Sequence, residues 1–210
     1  MTPLASESAP RPRRQSILLG GTMPAFELHS LHALDSGYGG DLDQWMAEVR
    51  QRPEPVVTIA RTTWPLEENR YRTFPQYLDD LKYHELPRME IAVATWLLES
   101  SKYRPFPQYV EDLKYRDMVL LQLAREAWLA EDSRNRQFPL YVDDLKYTDI
   151  PRLMFALELW KLERSKYRTF PQYVEDLKYH DLSTLMPLST EWKSGPCAST
   201  TFPSFVDSRR

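Results

Sequence analysis

The chain has 210 residues, a formal net charge of −3, 42% hydrophobic and 27% charged residues. That balance is ordinary for a water-soluble protein and leaves no broad basic footprint for nucleic acid. The single cysteine, Cys197, excludes an intramolecular disulfide and a zinc site built on several thiolates, and no stretch approaches the roughly 18 apolar residues of a membrane span.

Residues 1–62 hold no copy of the repeat described below and read as a largely disordered arm. The N-terminus lacks the apolar core of a secretory signal, so the expected location is the cytoplasm or nucleus. Arg13-Arg14-Gln15-Ser16 has the form of a basophilic kinase site, which makes Ser16 the candidate phosphosite. His29 and His32 form H-x-x-H in a loop segment; with no further ligands clustered beside them they read as solvated histidines, and no metal or other cofactor is expected. Asp41 to Arg50 suits a short helix over 41–51, acidic at its start and basic at its end as the helix dipole prefers, with Pro53 and Pro55 stopping it.

A fixed beat then begins. Trp64, Trp96, Trp128, Trp160 and Trp192 are evenly spaced, and Phe74-Pro75, Phe106-Pro107, Phe138-Pro139, Phe170-Pro171 and Phe202-Pro203 keep the same period. Such a period is the mark of a repeat array. Residues 63–191 read as a domain of four units, and 192–210 as a degenerate fifth repeat, frayed at its end.

Each unit reads as two helices. The Pro of Phe-Pro fits a first helical turn and sets the preceding Phe at a boundary. Helix A then covers about ten residues, such as Pro107 to Asp117, with Phe106, Tyr109, Val110 and Leu113 on one face at helical spacing and Glu111 and Lys114 placed to pair. Helix B follows Leu86-Pro87 and Ile150-Pro151; in the third unit Leu153, Leu157 and Trp160 form one apolar stripe and Phe155, Leu159 and Leu162 a second. Met118-Val119 replaces the Pro in the second unit, which leaves helices A and B free to fuse into a rod of about 26 residues, roughly 39 Å long at 1.5 Å per residue. Pro187 lies inside the fourth helix B and is expected to weaken or break it.

A unit cannot bury both its Phe/Tyr/Leu face and its Trp helix alone, whereas stacked neighbours can. The fold class is therefore all-α: tandem helix-turn-helix repeats stacked as a short α-solenoid. Trp64, Trp96, Trp128 and Trp160, with Phe74, Phe106, Phe138 and Phe170, form its repeating core, the Trp wedged between adjacent hairpins. The helical pairs with W-x-x-E at Trp96–Glu99, Trp128–Glu131 and Trp160–Glu163 resemble half-a-TPR and TPR repeats. That resemblance implies an assembly scaffold, and the half-a-TPR kind implies RNA-processing complexes. Tyr103-Arg104-Pro105-Phe106-Pro107-Gln108-Tyr109-Val110 also resembles part of the TPR-like region of spindle-checkpoint proteins over about eight residues, with Phe106 where that family has Asp. The period of 32 departs from the 34 of TPR arrays, and no functional residues carry over.

Catalytic constellations are not evident, and the reading is non-enzymatic. Asp79-Asp80 and Asp143-Asp144 are adjacent on a helix and do not face each other as an acid/base dyad would. His84 and His180 share one repeat position and are expected to meet the end of helix A as favourable positive charge. Burial accounts for most of the eleven repeat tyrosines. The expected activity is protein binding along stacked A helices, through Arg72, Arg104 and Arg168 and through Lys82, Lys114, Lys146 and Lys178. One alternative is an RNA-associated repeat, because Tyr71-Arg72, Tyr103-Arg104 and Tyr167-Arg168 offer stacking groups. A second is a young repeat protein with no evolved partner.

Overall fold

The computed structural model describes residues 47, 50–67, 73–99, 104–131, 136–163, 168–195 and 200–209. Ser16, His29, His32 and Arg72 lie outside them, as does nearly all of the arm expected over 1–62. Of the helix expected at 41–51, Ala47 and Arg50 are helical and Gln51 is in a turn; the other positions lie outside the described residues.

Among the described residues the chain is all-helical. Ten α-helices alternate between two sequence types: α1 Glu54–Thr63, α2 Phe74–Leu81, α3 Leu86–Trp96, α4 Phe106–Leu113, α5 Met118–Ala130, α6 Phe138–Leu145, α7 Ile150–Leu162, α8 Phe170–Leu177, α9 Leu182–Ser194 and α10 Phe202–Asp207, with a 3-10 turn at Trp64–Leu66. Even helices start at Phe-Pro and odd helices end near a Trp. Each odd helix packs on the even helix that follows it, and α1 packs equally on α3; even helices also pack side by side, and most successive odd helices do the same. Two helical layers result, with one continuous apolar core between them.

Local chemistry accounts for the short even helices. Phe occupies the first position and Pro the second, so the missing Pro N–H falls where no intrahelical partner exists. Thr73 and Thr169 precede two of these helices, and each donates its N–H to the Gln three residues on, at 3.0 and 3.2 Å. Each helix stops at Leu81, Leu113, Leu145 or Leu177, whose carbonyl accepts the N–H of His84, Arg116, Thr148 or His180 at 3.0–3.2 Å. The expected helix from Pro107 to Asp117 is therefore shorter, ending at Leu113.

Helices α4 and α5 do not fuse. Asp117 is extended (φ −58°, ψ 138°), and its carboxylate accepts the N–H groups of Val119 at 2.8 Å and Leu120 at 3.1 Å. An acidic N-cap thus separates the helices without help from proline. Pro187 does not break α9 either; the helix runs through it to Ser194. Pro187 and Ser183, whose carbonyl loses a partner to the proline, are both exposed, while Leu185, Ser189 and Trp192 hold the opposite side in the core.

Two boundaries also differ from expectation. Pro53 and Pro55 follow the turn at Gln51 where helix ends, as expected, but they also begin α1, as N-cap and second residue, with Val56, Val57, Ile59, Ala60 and Thr63 buried. Residues 54–62, expected within the arm, are therefore helical. The segment expected to fray, 192–210, instead contains α10, with Phe202 and Val206 buried and Trp192 edge-on to Phe202 at 5.6 Å. In α7 the stripe Leu153, Leu157 and Trp160 is buried, but the second stripe is not: Leu159 is buried, Phe155 half-buried and Leu162 exposed.

Candidate interaction surfaces

The residues with the strongest periodicity are engaged inside the fold. Trp64, Trp96, Trp128 and Trp160 are buried, as are Phe74, Phe106, Phe138 and Phe170. Each Trp meets its Phe at 5.6–5.8 Å, edge-on for the first three pairs and tilted for Trp160–Phe170. The indole N–H finds a partner as a buried indole must: Trp96, Trp128, Trp160 and Trp192 donate to the carbonyls of Arg104, Arg136, Arg168 and Thr200 at 2.9–3.2 Å. Every such bond ties the end of an odd helix to the loop entering the next even helix.

The Glu of W-x-x-E is a latch between successive helix pairs. Oε1 of Glu67, Glu99, Glu131 and Glu163 accepts the backbone N–H of Phe106, Phe138, Phe170 and Phe202 at 2.8–2.9 Å. A carboxylate thus sits on the N-terminus of an even helix in the next pair, where the dipole favours negative charge. Glu99 and Glu131 also accept from the hydroxyls of Tyr109 and Tyr141, at 2.9 and 2.8 Å. Burial, aided by those carboxylates, pushes the Tyr109 and Tyr141 hydroxyls far above the ordinary tyrosine range. Glu163 is raised by burial, partly opposed by the Phe202 N–H.

A second latch comes from arginines that the motif pattern does not single out. The Arg88 guanidinium donates to the carbonyls of Leu113 and, at 2.8 Å, Arg116. Arg152 donates to those of Leu177, Lys178 and His180 at 2.7, 3.1 and 2.8 Å. Each cation covers the C-terminus of the even helix that follows its own, α4 for Arg88 on α3 and α8 for Arg152 on α7. The L-P-R and I-P-R triplets are the available sequence signal.

The expected contact residues fall into two groups that the structure does not bring together. Arg104 and Arg168 stand just before even helices and pair with Asp112 and Asp176 eight residues on; Arg136 pairs likewise with Asp144 at 2.8 Å. Asp144 is nonetheless raised, because its burial outweighs the Arg136 charge. These arginines are internal ties more than free contacts. Arg136 and Arg168 line an open cleft of about 650 Å³ beside α6 and α8, with Glu131, Asp144, Glu175 and Asp176 among its other walls. The adjacent acids expected not to face each other diverge: Asp143 pairs with Arg116 of the preceding pair, Asp144 with Arg136.

The lysines sit at the other end of the even helices. Lys82, Lys114, Lys146 and Lys178 place their ammonium groups over the rings of Tyr83, Tyr115, Tyr147 and Tyr179, at 4.7–5.5 Å from the ring centre. Burial is the expected state of most repeat tyrosines, yet these four are 77%, 84%, 90% and 80% exposed. They occupy the turn just after the last buried Leu, where the backbone has left the helix and the ring has no neighbouring layer to enter. Sequence spacing alone points to them, because Leu-Lys-Tyr recurs once in every unit. Lys114 and Lys178 pair with Glu111 and Glu175 three residues back, and those contacts hold the ammonium pKa values above the ordinary lysine range; Lys82, 3.5 Å from Asp79, is raised chiefly by its Tyr83 contact.

His84 departs from its expected role. Its backbone N–H caps the Leu81 carbonyl at 3.1 Å. The side chain is nearly buried and lies 3.6 Å from Glu111 of the next pair. Burial lowers its pKa against the pull of Glu111, so near neutral pH it supplies no positive charge to the helix end.

No cluster of His, Cys, Asp and Glu able to hold a metal occurs among the described residues, and none of their helices is long and apolar enough to cross a membrane. Comparison with family models, curated proteins and solved structures finds no match for this chain.

Proposed function

We propose that the chain is a non-enzymatic protein-binding scaffold, a short α-solenoid of repeated helical units whose ligand surface is the row of Lys-Tyr turns. The observation that carries the reading is the exposure of Tyr83, Tyr115, Tyr147 and Tyr179 at one repeat position. A ring left in water contributes nothing to the core, while Tyr supplies large, stiff contact area at low entropic cost in protein interfaces. The solenoid reading is supported by bonds that recur from unit to unit: the Trp-to-loop bond, the Glu latch and the Trp–Phe contact. TPR-like repeats offer the nearest analogy for such a surface, and the cytoplasm or nucleus suits it.

The test is affinity capture with the intact chain and with a variant carrying Tyr→Ser at 83, 115, 147 and 179. Both should give the same helical circular dichroism. Partners recovered by the first and lost by the second support the scaffold reading; identical recoveries sink it. Specific, salt-sensitive binding of single-stranded RNA lost in the same variant would replace it by the RNA-associated reading. Recovery of nothing above background would favour a chain without an evolved partner.

A further inference from the structure

We propose that residues 35–51 are a further, degenerate half-copy of the repeat that docks on this chain's own α2 as an N-terminal cap: Asp35 latches the start of α2, and 41–50 packs beside α2 as one more even helix. This rests on the repeat-array reading and extends it upstream of α1. Three observations converge.

The first is a contact between successive even helices. Arg116 follows α4 and pairs with Asp143 of α6; His84 follows α2 and lies 3.6 Å from Glu111 of α4. Each joins a residue to the carboxylate 27 positions on. Arg52 makes the same contact with Asp79 of α2, at the same separation of 27. α2 thus receives from upstream what α4 and α6 receive from the ends of the even helices before them. Just ahead of Arg52, Ala47 and Arg50 are helical, and the Gln51 N–H donates to the Ala47 carbonyl at 3.3 Å. Ala47, Arg50 and Gln51 are exposed and Arg52 is half-buried, the pattern of Asp79, Lys82, Tyr83 and His84 one period later.

The second is register. Phe74, Tyr77, Leu78 and Leu81 are the buried face of α2. One period ahead of them stand Leu42, Trp45, Met46 and Val49, with the spacing of one apolar helix face. Asp41 and Gln44 stand where Thr73 and Gln76 form the capping box of α2. Asp serves as N-cap as well as Thr does, and Gln is the residue that completes the box. Asp43 and Arg50 leave the other side hydrophilic, as the end of a repeat array requires.

The third is the latch. Glu67, Glu99, Glu131 and Glu163 each accept the N–H of the Phe 39 positions on. Asp35 stands one period before Glu67, and the same interval from it ends at Phe74. A carboxylate there meets the positive end of α2. His32 stands where Trp64 does, so the match covers the latch and the even helix but no odd helix.

The experiment measures amide hydrogen exchange by NMR in the full chain. Asp35→Ala should speed exchange at Phe74 at least tenfold and leave Phe106 and Phe138 unchanged, and Asp35→Glu should keep the protection. Trp45→Ser should lower the thermal midpoint by at least about 5 °C, as the loss of a buried aromatic does. Exchange at Phe74 indifferent to Asp35, or a midpoint indifferent to Trp45, overturns the proposal. Protection of Phe74 that rises with protein concentration also overturns it, in favour of a second copy of the chain as the occupant. Trp128→Ala separates two kinds of failure. If it lowers the midpoint while the Asp35 and Trp45 variants change nothing, the array stands without this half-copy; if it changes nothing either, the array reading falls as well.

Discussion

Trp128 and Tyr147 are both large aromatic residues at a fixed position of the repeat, and they do opposite things. Trp128 is buried, meets Phe138 at 5.8 Å and donates to the Arg136 carbonyl at 2.9 Å. Trp128→Ala should cost about 3–5 kcal/mol, the range for a fully buried aromatic truncated in a packed core. Tyr147→Ala removes an exposed ring and should change stability by no more than about 0.5 kcal/mol. Urea unfolding of the two variants checks the contrast, and near-equal losses would mean that the two rings do not differ in burial. Periodicity makes both residues visible; it cannot separate them, because a fixed spacing reports equivalence between units and not which side of the turn faces the core.

His84 gives a pH dependence whose sign follows from burial. Its folded pKa lies below the unfolded value of about 6.5. As pH falls through that window the unfolded chain takes up a proton that the folded chain refuses, so stability drops. Glu163 works the other way, since its raised folded pKa lets the native state bind a proton first as pH falls toward the carboxylate range. The His84 part is isolated by comparing the chain with His84→Asn. Between about pH 7.5 and 5.5 the wild type should lose more thermal stability than the variant, and parallel losses would rule out His84 as the cause.

At the scale of the element, helix boundaries are where local chemistry overrides the proline signals. Pro53 and Pro55 start α1 because proline is as good at a helix's first turn as it is bad in its interior. The repeat itself holds the clue: Pro55, Ile59, Ala60, Thr63 and Trp64 recur one period later as Pro87, Ile91, Ala92, Thr95 and Trp96. Ala60, Ala92, Ala124 and Ala156 are all fully buried; a small residue passes unnoticed in a search for large apolar ones. Asp117 separates α4 from α5 without a proline, by side-chain capping. Pro187 is tolerated inside α9 but not free of cost. Pro187→Ala restores an N–H where Ser183 offers a carbonyl and should stabilise the chain by about 1–3 kcal/mol, read as a raised thermal midpoint. An unchanged or lowered midpoint would mean the helix is already bent to suit the ring.

The latches between elements are legible only in part. W-x-x-E is visible as a motif, but its role depends on a partner in the next helix pair, which no local pattern encodes. Glu131→Ala leaves the Phe170 N–H and the Tyr141 hydroxyl without their acceptor and should cost about 2–3 kcal/mol, while Glu131→Gln keeps an oxygen there and should cost less. Denaturant titration of both variants orders them, and a Gln variant as weak as the Ala one would assign the latch to charge instead of hydrogen bonding.

At the scale of the whole molecule, the packed pair is an odd helix followed by an even one, one helix out of phase with units counted from Trp to Trp. On that phase the described residues contain five pairs, from α1–α2 to α9–α10, and Glu67 through Glu163 join each pair to the next. The last pair carries Gly195 at the position of the latch Glu, and Thr184 of α9 stands where Arg88 and Arg152 stand in α3 and α7. In a stack with near-neighbour contacts alone, stability is a sum over units and junctions. Where the chain is cut should then matter more than how much is removed. A chain begun at residue 50 keeps α1 and the Tyr77–Thr63 hydrogen bond at 2.8 Å. A chain begun at residue 64 loses both and opens the apolar faces of α2 and α3 that α1 covers. The second should unfold at a midpoint lower by at least roughly 10 °C, since the loss of five buried side chains of α1 far exceeds the roughly 1 kcal/mol that moves a domain of this size by about 2–4 °C. If the two chains melt together, α1 is not part of the cooperative unit, and the array begins at the Trp beat after all.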